Sequence, residues 1–238
     1  MINDSSAPPS HPEGTVDRAR RPAVAAIVLA GGRGARFGGD KLVALLEGRP
    51  LLHHALIAVS PVVAELVVVI RPHGAPPRLP DPALLTVPVQ LVRDPEPYGG
   101  PLVALAAALE RIEQPAVLVG AGDMPTLQPG VLVAMLHALD ERNADVVILA
   151  GPGPVQSLPA AIRSAPALPA AREALGASGR SLRALYDRLT VAVLAEAEWR
   201  ALDPTGATLR DVDTTRDLVE PVGQAPGHET DPVRGRGP

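Results

Sequence analysis

The chain has 238 residues and no cysteine. Disulfides, thiolate metal sites and cysteine nucleophiles are therefore excluded, and the composition fits a reducing compartment such as the cytoplasm. Aromatic residues make up only 2%, too few for the platforms on which nucleic-acid bases stack. A formal net charge of -4 gives no basic footprint for a nucleic-acid partner. No apolar run reaches the roughly 20 residues of a membrane span, so no membrane partner is expected. Lysine is almost missing too. Of the 22 Lys and Arg residues, Lys41 is the only lysine.

What remains is long enough for one α/β domain with a sizeable core. Residues 1–22 and 221–238 are rich in proline and charge and read as disordered tails flanking a domain at 23–220. Arg20 and Arg21 before an apolar stretch resemble a twin-arginine signal, but that stretch runs straight into the charged loop 33–41, so a tail preceding the first strand is the reading kept. Between the tails, short apolar runs at 24–29, 65–70, 87–92, 116–120, 145–149 and 191–194 read as strands. Helical patterns at 50–59, 101–112, 129–141, 165–175 and 181–189 separate them, three opened by proline. Apolar strands alternating with helices predict a mostly parallel sheet covered on both faces. Ligands then bind beyond the carboxyl ends of the strands. Residues 71–88 read as a proline-rich exposed loop.

The first strand opens into residues 29–41, LAGGRGARFGGDK. A P-loop is ruled out because Asp40, Lys41 and Leu42 follow Gly39, breaking the frame and removing the magnesium-binding hydroxyl. A dinucleotide fingerprint is ruled out because Phe37 stands where the third glycine belongs. Gly31 and Gly32 can turn backbone N–H groups toward an anion with no side chain in the way. Arg36 and Lys41 would supply charge to phosphates. A generic glycine-rich connection with solvated arginines fits composition equally well.

Three acidic segments follow. Residues 94–102, DPEPYGGPL, read as a turn into a helix. Residues 117–125, VLVGAGDMP, carry Asp123 at the carboxyl end of a buried strand, where it either caps a turn or holds a cation. In residues 209–218, LRDVDTTRDL, Asp211 and Asp213 are two apart and share a face if the segment is a strand. Alternatively Asp213 caps a helix starting at Thr214.

Residues 29–41 resemble the signature LAGGxSxRxGxxK of the MobA-like NTP transferase family, and the later segments resemble that family's motifs in order. The resemblance spans about 23–220 and implies a three-layer α/β/α nucleotidyltransferase fold, Rossmann-like with a mostly parallel sheet. It implies nucleotide contacts from Leu29, Ala30, Gly31 and Gly32, and phosphate binding and catalysis by Arg36 and Lys41. Asp94 and Gly100 would line the base and ribose pocket. Asp123 would touch the nucleotide and hold Mg²⁺, with Asp213 as a second ligand. The implied reaction moves GMP from GTP to molybdopterin with release of pyrophosphate, in a cytoplasmic monomer or weak oligomer.

The chain departs from the pattern at Gly34 (usually Ser), at Thr215 (usually Pro) and at Ser157, where a histidine is expected. Asp211 and Asp213 also resemble relatives that use CTP. A cytidylyltransferase, a nucleotidyltransferase for a sugar phosphate, and a nucleotide-binding paralogue without turnover thus stay open. Arg71 stands where guanine-using relatives carry an asparagine segment. Residues 156–162 and 174–185 resemble the family's acceptor-side wall. His53 and His54 are adjacent on a helix, do not share a face, and are not expected to hold a metal.

Overall fold

The computed structural model describes residues 24–32, 41–151, 155–214 and 216–218. The tails expected at 1–22 and 221–238, together with Gly34, Arg36 and Thr215, lie outside the described residues.

Among the described residues, nine strands and six α-helices follow in chain order. They are β1 (Val24–Ala30), β2 (Leu45–Leu46), β3 (Arg49–Pro50), α1 (Leu51–Val59), β4 (Glu65–Ile70), β5 (Val89–Arg93), α2 (Pro101–Leu109), β6 (Ala116–Ala121), α3 (Pro129–Glu141), β7 (Val146–Leu149), β8 (Ala160–Arg163), α4 (Ser164–Gly176), α5 (Leu182–Tyr186), β9 (Val191–Leu194) and α6 (Glu196–Arg200). The main sheet has seven strands in the order β5-β4-β1-β6-β8-β7-β9, and β2 pairs with β3 in a separate small hairpin. β8 runs antiparallel to both its neighbours, β6 and β7. The remaining direct pairings in the main sheet are parallel.

The strands read as continuous apolar runs because both faces are covered. Side chains alternate, so Ala26, Val28, Leu66, Val68 and Leu118 face α1, α3 and Trp199 of α6. Ala25, Ile27, Val67, Val69 and Val117 face α2, α4 and α5 on the other side. α4 buries only alanines toward the sheet, Ala167, Ala170, Ala171 and Ala174. Their spacing of three and four is one helical stripe, and its small side chains let α4 lie close to the neighbouring elements.

Sequence and structure differ at several elements: the β2–β3 hairpin is additional, α2 ends at Leu109 rather than 112, and α5 spans Leu182–Tyr186 rather than 181–189. β5 starts at Val89 rather than at 87. Helix α6 was not foreseen; its buried Trp199 donates from Nε1 to the Ala150 carbonyl at 2.8 Å. Within the 156–162 segment the chain forms β8, an unexpected strand, with Ala160, Ala161 and Ile162 fully buried between β6 and β7. His53 and His54 diverge as expected, one bonded to the Arg78 carbonyl and the other to the Leu46 carbonyl. No helix among the described residues is long and apolar enough to cross a membrane.

The chain leaves β1 for β4 on one side through α1, and reaches β6 on the other side from β5 through α2. The strand order therefore reverses between β1 and β6. That is the switch point at which an open α/β sheet leaves a crevice beyond its carboxyl ends.

Candidate active site

The carboxyl ends of β1, β4, β5 and β6 lie together because these strands run in parallel register. β1 delivers Leu29, Ala30, Gly31 and Gly32; β4 delivers Arg71, β5 Asp94, and β6 Asp123. The Gly122 N–H donates to the Leu29 carbonyl at 3.0 Å, continuing the β1–β6 pairing one residue past the strand. A Cβ on Gly122 would stand 3.0 Å from Leu42 Cδ2 and 3.1 Å from Leu52 Cδ1. The bare glycine thus lets Leu42 pack down and brings its neighbour Lys41 over the crevice.

Lys41 is 92% buried, with a relative exposure of 8%. Its Nζ lies 2.9 Å from Asp123 Oδ2 and 2.7 Å from Asp213 Oδ1. Burial works against the ammonium, but the hydrogen bonds and charges of Asp123 and Asp213 outweigh it and hold the Lys41 pKa above its ordinary 10.5. Asp211 sits close by. Partial burial, reinforced by the charges of Asp213 and Asp123, pushes its carboxyl above the usual range.

The two carboxylates converge from segments far apart in the chain. The Val212 N–H donates to the Asp123 carbonyl at 3.0 Å, fastening residues 211–213 beside β6. Residues 211–213 form no strand, so the shared-face reading of Asp211 and Asp213 does not hold. The helix-cap reading of Asp213 turns on Thr215, which lies outside the described residues. Asp217 accepts from the backbone N–H of Asp213 at 2.8 Å and of Thr214 at 2.6 Å. The Asp213 carboxylate meets Lys41.

Asp123 and Asp213 each bring a carboxylate oxygen to the Lys41 ammonium. Among the described residues no cluster of three or more His, Cys, Asp or Glu side chains forms a self-sufficient metal cage. Two carboxylates with open positions fit the way Mg²⁺ is bound beside phosphates, through one or two carboxylates and the phosphate oxygens.

Toward the β4–β5 side the crevice changes character. Asp94 is almost buried, and burial pushes its carboxyl above the usual range. Its Oδ2 lies 3.8 Å from the point where a Gly31 Cβ would stand, and its Oδ1 accepts the Glu96 N–H at 3.1 Å. Arg71 extends Nη2 to within 3.5 Å of the Gly32 carbonyl. Gly100 opens α2 with φ +93°, and a Cβ there would fall 2.6 Å from the Arg180 carbonyl oxygen. Only glycine suits both the dihedral and the contact. The Leu102 N–H donates to that same carbonyl at 3.1 Å, so the loop before α5 closes over the start of α2. Part of the 174–185 segment thus braces the Asp94–Gly100 side. Arg36 lies outside the described residues.

A further brace was not legible in the sequence. Buried Asp203 accepts from the Thr208 N–H at 2.7 Å and from the Thr205 hydroxyl at 2.8 Å. The turn so formed docks on the Asp123 loop, where the Thr126 hydroxyl donates to the Ala207 carbonyl at 2.7 Å. Burial works against the Asp203 charge, but the hydrogen bonds from Thr208, Thr205 and Ala207 outweigh it and hold its carboxyl below 3.8. A depressed pKa stabilises the fold above the unfolded value and ceases to do so as pH falls through the folded one. Asp203→Asn is therefore expected to lower stability by about 1–3 kcal/mol at pH 7. The gap between variant and wild type should shrink as pH drops below 3.8. Urea midpoints measured at both pH values check this, and a gap that widens in acid contradicts it.

Comparison with known proteins agrees with this geometry. The model of the MobA-like NTP transferase domain matches residues 26–193. A protein of Chloroflexus aggregans named "Probable molybdenum cofactor guanylyltransferase" is 32% identical over 198 residues, covering 81% of this chain and 90% of that protein. The molybdenum cofactor guanylyltransferase of Methylibium petroleiphilum is 33% identical over 130 residues, and there the match spans 54% of this chain and 61% of the relative. Among solved structures, molybdopterin-guanine dinucleotide biosynthesis protein A from Archaeoglobus fulgidus superposes with a TM-score of 0.65 at 23% identity, over 82% of this chain and 95% of that one. The last shares the fold. The sequence matches carry the assignment, and by them this chain belongs to the MobA-like NTP transferase family.

Proposed function

We propose that the protein transfers GMP from GTP to the terminal phosphate of molybdopterin and releases pyrophosphate. The observation that carries the reading is Lys41, the single lysine of the chain, held between Asp123 and Asp213 at the sheet's switch point. The names of the relatives from Chloroflexus aggregans and Methylibium petroleiphilum support the choice of acceptor and base.

In this reading an acceptor phosphate oxygen attacks the α-phosphorus of GTP in line. The new P–O bond forms as the bond to the bridging oxygen breaks, and pyrophosphate carries the leaving charge away. Such chemistry rests on positioning and charge neutralisation and needs no side-chain nucleophile. The N–H groups at Gly31 and Gly32 face the phosphates. Lys41 turns its ammonium from the carboxylates to the phosphate oxygens and offsets the charge that builds there. Asp123 and Asp213 would hold Mg²⁺, which would supply Lewis-acid charge to the phosphates. Over β4 and β5, Arg71 offers donors and Asp94 offers an acceptor. Guanine presents O6 and N7 as acceptors and its N1 and N2 hydrogens as donors, so this pair complements it.

The full-length protein with Mg²⁺, molybdopterin and each of GTP, CTP, ATP and UTP tests the reading by pyrophosphate release. Release with GTP well above the other three is expected. Release confined to CTP would transfer the assignment to the cytidylyl branch. No release with any nucleotide would refute transfer to this acceptor.

A further inference from the structure

Arg93 ends β5 and immediately precedes Asp94. Adjacent residues of a strand point to opposite sides. Asp94 turns toward Gly31, and Arg93 turns the other way, onto residues 71–74. There its Nη1 donates to the Arg71 carbonyl at 3.1 Å and to the Pro72 carbonyl at 3.2 Å, and its Nη2 donates to the Gly74 carbonyl at 3.1 Å. Residues 71–74 belong to no helix or strand. Gly74 takes a φ of +95° that curls the segment back so that its carbonyl meets the same guanidinium. A planar guanidinium with donors fixed on separate nitrogens suits three carbonyls spread along one segment.

The clamped segment borders the crevice. The Arg71 N lies 4.0 Å from the point where a Gly31 Cβ would stand, and the Arg71 side chain reaches the Gly32 carbonyl. Holding the Arg71 backbone therefore sets the distance between this wall and the glycine loop. The phosphate end of the crevice, at Lys41 and Asp123, lies across β1 on the β6 side.

We propose that Arg93 is a positioning residue for the nucleotide base: it fixes residues 71–74 as one wall of the base pocket and so sets base affinity and base choice without touching the phosphates. This rests on the reading that a nucleotide lies with its base over β4 and β5. Releasing the clamp lets the wall sample other conformations, and affinity falls in proportion to the fraction that remains competent.

The test uses full-length wild type, Arg93→Ala and Arg93→Lys with Mg²⁺. Calorimetry measures binding of the four nucleoside triphosphates and of inorganic tripolyphosphate, which has no base. Arg93→Ala is expected to bind the nucleotide preferred by wild type about tenfold more weakly, as for a wall competent a tenth of the time. Its preference among the four bases should shrink, and its affinity for tripolyphosphate should stay unchanged. Arg93→Lys, keeping one donor group, should fall between. In turnover the loss should appear in KM and leave kcat nearly unchanged. Equal weakening of nucleotide and tripolyphosphate would mark Arg93 as merely structural and overturn the proposal, as would an unchanged base preference. If wild type prefers CTP, the guanine reading fails while Arg93 is still scored on CTP. If wild type binds no nucleotide more tightly than tripolyphosphate, both fail.

Discussion

Lys41→Arg is expected to cut nucleotidyl transfer by about 10²- to 10³-fold, the usual effect of losing one preorganised group that stabilises transition-state charge. The charge is kept, so the loss must come from shape. Lys41 is buried and its ammonium sits within 2.9 Å of two carboxylates from different segments. Beside it, Leu42 packs where even a methyl group on Gly122 would come within 3.0 Å. A guanidinium is a broad planar fork. It would lock onto the two aspartates bidentately rather than release one compact charge to the phosphates. The Lys41 pKa is raised, so the ammonium stays charged throughout the neutral range, and the role proposed for it is electrostatic. Pyrophosphate release, with thermal melting alongside, is the measurement. Unchanged turnover in a folded Lys41→Arg protein would refute the role given to this side chain.

Asp123→Asn is expected to lower the rate by a similar factor, about 10² or more, with a different signature. The variant should need far more divalent cation for half-maximal rate, because an amide is a poorer ligand than a carboxylate. The fold should persist, since the Val212 hydrogen bond goes to the Asp123 backbone carbonyl and survives the change. Asp213→Asn should show the same shift more weakly, because its side chain is 53% exposed against 27% for Asp123. Titrating Mg²⁺ against pyrophosphate release for both variants checks the order. A larger effect at Asp213 would reverse the assignment of principal ligand.

Much of this was legible in the sequence, and the exceptions have physical reasons. β4 and β9 match the expected bounds because they are valine-rich and sharply flanked. β8 was missed because only Ile162 among its residues is β-branched, and its place between β6 and β7 follows from long-range pairing. At the site, Lys41, Asp94 and Asp123 could be named from motifs at strand ends. Asp213 carried two opposed local readings, a strand face and a helix cap. The strand face does not hold, and the partner that its carboxylate meets, Lys41, lies 172 residues away in the chain. Arg93 gave no local signal at all. A polar residue ending an edge strand is ordinary, and its function depends on a loop that begins 22 residues earlier.

That separation between Lys41 and Asp213 also bears on how the protein is made. A chain emerging amino end first can pair β1, β4 and β6 while residues 211–213 are still being synthesised. Until they arrive, the ammonium faces one carboxylate instead of two, and the Asp123 carbonyl lacks its Val212 donor. The strap is a late closure of a long loop, stabilised by few contacts relative to the sheet it fastens. A growing chain can therefore lay down β1, β4 and β6 before residues 211–213 complete the cluster of Lys41, Asp123 and Asp213.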